Sequence, residues 1–99
     1  MKRIFVQYKT KPEAAAENTR LLENVFKELK AKAPKGVGYM TLRLPDGTFL
    51  HFNALEDGAP PVTSLKAFGD YLDGIKERLV APPQQSEPVV IGQYGFFAE

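Results

Sequence analysis

Val37-Gly38-Tyr39-Met40-Thr41-Leu42-Arg43-Leu44 and Thr48-Phe49-Leu50-His51-Phe52-Asn53-Ala54-Leu55 are two strand-like runs separated by Pro45-Asp46-Gly47. Proline sets φ and glycine takes the left-handed position, so the three-residue break reads as the turn of a β-hairpin. Side chains alternate between the faces of a strand, which makes the register readable. With Leu44 opposite Thr48, Thr41 faces His51 and Tyr39 faces Asn53. One side then collects Tyr39, Thr41, Arg43, His51 and Asn53, and the other Met40, Leu42, Leu44, Leu50 and Phe52. A slip of one residue would mix the two sets, and the need for a coherent apolar surface disfavours it.

Outward from the hairpin, Ile4-Phe5-Val6-Gln7-Tyr8 is β-branched and aromatic and stops at Lys9-Thr10-Lys11-Pro12, the pattern of a first strand. Between Glu13 and Ala33, Leu22, Val25, Phe26, Leu29 and Ala33 recur at helical spacing, and Pro34 and Gly36 close the helix. Beyond the loop Glu56-Asp57-Gly58-Ala59-Pro60-Pro61-Val62, Thr63 or Ser64 is placed to cap a second helix, whose expected buried stripe is Leu65, Phe68, Leu72, Ile75 and Leu79. The proline-rich stretch Ala81–Pro88 reads as a stiff connector, and Pro88-Val89-Val90-Ile91-Gly92-Gln93-Tyr94 as a fourth strand with Gly95-Phe96-Phe97 trailing.

The order β-α-β-β-α-β, with right-handed crossovers, predicts an α+β ferredoxin-like fold: a four-stranded antiparallel sheet with both helices on one face. The other face is the physical problem. The first strand carries Ile4, Val6 and Tyr8 on one side but Phe5 on the other, and the hairpin has its own apolar side. A bare apolar face of several hundred Å² is uncommon on a soluble monomer, so the expected cover is the same face of a second copy, making a homodimer.

At 99 residues and 43% hydrophobic, the chain reads as one domain, residues 1–99, with one core. A net charge of +1 and the lack of an aromatic and basic RNA-binding pattern on the first and third strands argue against nucleic acid as partner. Zero cysteines exclude disulfides, thiolate nucleophiles and sulfur-based metal sites, and His51 as the one histidine excludes a multi-imidazole site within one chain. The apolar stretch after Met1-Lys2-Arg3 is only Ile4-Phe5-Val6, too short for a signal core or membrane span, so the expected location is cytoplasmic. Asp46-Gly47 and Asp57-Gly58 are turn chemistry, and neither a metal nor a cofactor is expected.

The βαββαβ order, the sided hairpin, and a third strand Phe49-Leu50-His51-Phe52-Asn53-Ala54-Leu55 running into Glu56-Asp57 before a second helix resemble the antibiotic biosynthesis monooxygenase superfamily over nearly the whole chain. The resemblance implies a dimeric α+β barrel and includes cofactor-independent quinone-forming monooxygenases, haem-degrading enzymes and members without an assigned reaction. Asn53 and Leu55 stand where members often have an acidic residue and a tryptophan, and Phe68 stands where they often have a histidine. The chain therefore departs from the haem-degrading branch.

His51 has the only side chain with an unperturbed pKa near neutrality, so it is the first candidate for a catalytic acid or base, with Tyr39, Asn53 and Arg43 as its partners on the polar row. Thr41 lies in the same row. Arg43 suits an oxyanion on an aromatic or quinone-like substrate. Tyr8, Tyr94 and Phe96 could line an aromatic pocket, although aromatic strand residues more often belong to a core. Two functions follow: a cofactor-independent monooxygenase acting on a small aromatic or quinone-like molecule, or a non-catalytic dimeric protein, ligand-binding or stress-related. A closed space of several hundred Å³ containing His51 favours the first, and a filled core with His51 at the interface favours the binder or a purely structural role.

Overall fold

The computed structural model describes residues 1–96. Its strands are β1 (Lys2–Lys9), β2 (Val37–Arg43), β3 (Thr48–Leu55) and β4 (Gln84–Ser86), and its helices are α1 (Ala15–Lys32), α2 (Lys66–Leu72) and α3 (Ile75–Arg78). The sheet order is β2-β3-β1-β4, antiparallel at every ladder. This is the expected ferredoxin-like α+β arrangement.

The hairpin forms in the expected register, with Thr41 opposite His51 and Tyr39 opposite Asn53. Leu44 N–H donates to the Thr48 carbonyl at 2.8 Å, Thr48 N–H donates to Asp46 Oδ1 at 2.9 Å, and Gly47 takes φ 88°. Each residue of Pro45-Asp46-Gly47 thus has its role: ring-fixed φ, side-chain acceptor, and left-handed turn.

Helix α1 follows a single 3₁₀ turn at Pro12–Ala14, so the expected helical start at Glu13 splits into two pieces. It ends at Ala33, a left-handed cap whose N–H donates to Leu29 O at 2.7 Å, and Pro34 prevents continuation. Asn18, Leu22 and Val25 form its buried face.

The second half of the chain differs from expectation in three places. The single second helix is broken, with α2 ending before Asp73 and α3 starting after Gly74 at φ 73°. Its buried stripe consequently runs through Leu65 and Tyr71, while Leu72 faces solvent at 45% exposure. Neither Thr63 nor Ser64 caps α2 with its side chain. The Glu28 carboxylate of α1 instead accepts from Ala67 N–H at 2.8 Å while pairing with Lys32, and these two contacts, the lysine foremost, hold its pKa below the usual carboxylate value. Cross-helix capping satisfies free amides at the start of α2 without a local acceptor.

The fourth strand is also displaced. The pairing segment is Gln84–Ser86, within the expected connector, where Phe5, Val6 and Gln7 meet Ser86, Gln85 and Gln84. Residues 88–94 form no strand, and Val89, Ile91, Tyr94 and Phe96 lie 80–96% exposed. The β-branched run was the stronger propensity signal, but pairing partners rather than propensity decide where an edge strand lies. Phe97, placed in the trailing segment, lies outside the described residues.

The core comprises Tyr8, Leu22, Val25, Phe49, Val62, Leu65, Tyr71 and Leu79, between the helices and one sheet face. The opposite face leaves Met40, Leu42, Leu44 and Phe52 40–43% exposed, and Phe5 packs against Phe52 with ring centroids 4.8 Å apart.

Candidate functional site

The sided hairpin is inverted relative to an ordinary half-buried sheet: its polar row faces the helices and its apolar row faces outward. His51 is 5% exposed on the helix-covered face. Such burial requires each ring nitrogen to have a partner. Nδ1 lies 2.7 Å from the Tyr39 hydroxyl and 3.3 Å from Thr41 Oγ1, and Nε2 lies 2.9 Å from the Tyr8 hydroxyl. The cross-strand pairing places Thr41 directly opposite His51, while Tyr39 and Tyr8 reach it diagonally from either side.

The network continues inward. The Tyr8 hydroxyl also meets the Tyr71 hydroxyl of α2 and accepts from Asn18 Nδ2 of α1 at 2.9 Å. Arg78 Nε donates to Asn18 Oδ1 at 3.0 Å, its Nη1 donates to Asp73 O at 3.1 Å, and its Nη2 donates to Tyr71 O. Arg78 is 8% exposed and places its guanidinium carbon 5.6 Å from the centroid of the Tyr71 ring. Its donors therefore end on neutral oxygens, and two of them tie together the break between α2 and α3.

Burial governs the electrostatics. It pushes His51 down to about 4 and Tyr39 up to about 12, with the Thr41 hydrogen bond opposing the latter. Tyr8 and Tyr71 are also raised by burial, and for Tyr71 the neighbouring Tyr8 adds to the effect. The centre of the network is thus a neutral imidazole among neutral phenols at neutral pH.

A cleft of about 210 Å³ opens between α1 and the β2–β3 hairpin, lined by Thr19, Leu22, Phe26, Thr41, Arg43 and Phe49 among others. Its walls are aromatic and aliphatic, with polar groups at one end, because α1 presents Thr19 and Phe26 toward the outer end of the polar row. Arg43 is exposed there and donates to Thr19 Oγ1 at 3.0 Å. Phe26 stacks on Tyr39 with centroids 5.1 Å apart and ring planes 13° from parallel. His51 does not line the cleft; Thr41 stands between them.

Of the residues expected from sequence, Tyr39, Thr41 and His51 come together by hydrogen bonding. Arg43 shares their face but sits at the cleft mouth, and Asn53, directly opposite Tyr39, has Oδ1 buried and without a hydrogen-bond partner among the described residues. Tyr94 and Phe96 are far exposed and do not line the cleft, whereas Tyr8 lies in the centre of the network. Asn18, Tyr71 and Arg78 were missed. Asn18 stands four residues before Leu22, and Arg78 seven after Tyr71 and three after Ile75, so polar residues in register with an apolar stripe were the available signal. Among the described residues no group of three His, Asp or Glu side chains is placed to hold a metal ion, and no helix is long and apolar enough to cross a membrane.

The fold, a four-stranded antiparallel sheet with its helices on one face, is similar to that of solved structures described as antibiotic biosynthesis monooxygenases. A provisionally named antibiotic biosynthesis monooxygenase from Bacteroides thetaiotaomicron superposes with TM-score 0.76 at 10% identity, covering 99% of this chain and 95% of that one. One from Nitrosomonas europaea, also provisionally named, gives 0.72 at 9% identity, with 94% and 92% covered. A third structure described as an antibiotic biosynthesis monooxygenase gives 0.70 at 13% identity, with 93% and 100% covered. No family profile and no curated protein sequence matches the chain. Likeness at these identities establishes the fold, and chemistry has to be argued from the site.

Proposed function

We propose that the protein is a cofactor-independent, monooxygenase-like enzyme that takes a small aromatic or quinone-like molecule into the cleft beside Thr41. The observation that carries this reading is the double position of Thr41, on the cleft wall and 3.3 Å from His51 Nδ1. A ligand ring fits against Phe26 and Phe49, with its oxygen toward Thr41 and Arg43. Arg43, released from Thr19, stabilises the oxyanion that makes such a ring electron-rich enough to react with dioxygen. His51 and Tyr39 hold the Thr41 end of the network.

Oxygen uptake with a panel of hydroquinones tests the proposal. Turnover should fall by about 10²-fold in Arg43→Ala, the range for loss of an oxyanion donor, and also fall in His51→Gln. No uptake with any member rejects the enzymatic reading. A second reading, non-catalytic binding of a small apolar ligand, is favoured by two observations: His51 sits in a filled hydrogen-bonded network outside the cleft, and an imidazole held down at about 4 is a weak base. Calorimetric binding of the same panel without oxygen uptake selects it.

The assembly proposed for either reading is a homodimer. The outward row Met40, Leu42, Leu44 and Phe52, together with Phe5, forms an apolar sheet face that no element of the described chain covers. A two-fold related copy would cover it with itself.

A further inference from the structure

The structure assigns a direction to the buried hydrogen-bond chain: we propose that Arg78 and Asn18 act as positioning residues that orient it outward, so that donors point from Tyr71 through Tyr8 and His51 to Tyr39, Thr41 and the cleft, where the chain serves a ligand oxygen that accepts hydrogen bonds. The argument is a count of donors and acceptors. Guanidinium groups only donate, so the Arg78 Nε contact of 3.0 Å makes the Asn18 carbonyl oxygen the acceptor. The amide nitrogen of Asn18 is then the group facing Tyr8, and it donates to the Tyr8 oxygen at 2.9 Å. Tyr8 has one proton left to place, on Tyr71 or on His51.

Tyr71 decides between them. It is 3% exposed, and its hydroxyl has Tyr8 as its hydrogen-bond partner among the described residues. If Tyr8 donated to Tyr71, the Tyr71 proton would be buried without an acceptor, at a cost that folded proteins avoid. Tyr71 therefore donates to Tyr8, and Tyr8 donates to His51 Nε2 across 2.9 Å. A neutral imidazole that accepts at Nε2 carries its proton on Nδ1, and Nδ1–H points to Tyr39 at 2.7 Å and Thr41 at 3.3 Å. With Nδ1–H shared between the Tyr39 and Thr41 oxygens, the Thr41 hydroxyl, which lines the cleft, keeps its own proton for a ligand there.

Arg78 and Asn18 touch neither the cleft nor His51, yet they select which His51 tautomer faces it. The ligand class follows: the outward end serves an oxygen that accepts a hydrogen bond, a carbonyl, quinone or phenolate oxygen, so a hydroquinone enters as its phenolate anion. That last step rests on the cleft being the ligand site, as proposed above. The tautomer does not, because it is a property of the free protein.

The test is nitrogen NMR of ¹⁵N-histidine-labelled protein at neutral pH without ligand, in which the two ring nitrogens distinguish the tautomers. The wild type should show Nδ1–H. Asn18→Asp replaces the amide donor with an oxygen, so Tyr8 should turn its proton to the carboxylate and His51 should switch to Nε2–H. Tyr71→Phe leaves Asn18 donating and His51 as Tyr8's remaining acceptor, so Nδ1–H should persist. A role of Asn18 limited to packing would leave the tautomer unmoved in Asn18→Asp, and that result overturns the proposal. Should that variant fail to fold, Nε2–H or imidazolium in the wild type, or Nε2–H in Tyr71→Phe, overturns it as well. If Nδ1–H is found and no oxygen-bearing ligand binds the cleft, the proposed function fails and the oriented chain stands.

Discussion

His51 Nε2 and the Tyr8 hydroxyl lie 2.9 Å apart, on neighbouring strands and on the same helix-covered face. Because the histidine is buried and bonded on both nitrogens, the fold holds it neutral, and its position at about 4 links folding to pH. The folded-state pKa lies below the unfolded value near 6.5, so between those values the unfolded chain binds more protons and stability rises with pH. The stabilisation is complete above about pH 6.5 and is lost as pH falls toward about 4. At 1.36 kcal/mol per unit the loss is about 3 kcal/mol, for a side chain too buried for solvent to screen. Urea unfolding at pH 7 and pH 4.5 measures it. His51→Gln should flatten this window, leaving only the loss from carboxylates such as Glu28; equal slopes in both proteins would contradict the assignment.

Removing the Tyr8 hydroxyl should cost more than removing that of Tyr71. Tyr8→Phe strips a partner from Asn18 Nδ2, His51 Nε2 and the Tyr71 hydroxyl together. Each buried polar group left unpaired costs about 1–3 kcal/mol, so about 3 kcal/mol or more is expected. Tyr71→Phe removes a single contact and should cost about 1 kcal/mol. Chemical denaturation of the two variants gives the order, and a larger loss for Tyr71→Phe would contradict the central place of Tyr8.

The break between α2 and α3 depends on Gly74 and Arg78. Gly74 adopts φ 73°, a conformation that costs an L-residue about 1 kcal/mol, and Gly74→Ala should lower stability by that amount. Arg78→Met keeps much of the buried aliphatic volume but abandons Asn18 Oδ1 and the carbonyls of Tyr71 and Asp73. Three buried acceptors then lose their donor at about 1–3 kcal/mol each, so a loss of about 3 kcal/mol or more is expected. Thermal unfolding of both variants checks the pair, with Arg78→Met the more damaging.

The sequence carried the first half of the fold more fully than the second, for physical reasons. Two alternating runs joined by Pro45-Asp46-Gly47 admit one register that segregates side chains, and the structure adopts it. The second helix was ambiguous because Phe68 and Ile75 belong equally to a stripe through Leu72 and to one through Tyr71. Spacing alone could not choose; the break at Asp73 and Gly74 chose Tyr71. Edge pairing at Gln84–Ser86 was invisible because it uses backbone groups and needs no apolar pattern. In the site, Tyr39, Thr41 and His51 were found through strand geometry. Asn18, Tyr71 and Arg78 reach the same cluster from helices, and such long-range packing leaves little trace in local pattern.

The outward sheet face yields the last prediction. Leu42 and Phe52 are 43% and 40% exposed, and both lie on the row opposite the buried polar cluster. If a second copy covers this row, a charge placed there must be desolvated in the dimer but stays in water in the monomer. Leu42→Asp puts like carboxylates on facing copies, and Phe52→Lys does the same with ammonium groups; each penalty falls on association and little on the fold. Sedimentation equilibrium of the wild type should give twice the chain mass, and each variant should shift toward a single chain, weakening association by about 10²-fold for a loss of about 3 kcal/mol. The His51 environment gives the internal control, since it lies on the other face and its ring nitrogens should keep their chemical shifts in both variants. A wild type that sediments as one chain at high concentration would remove the dimer and leave the apolar row for another partner.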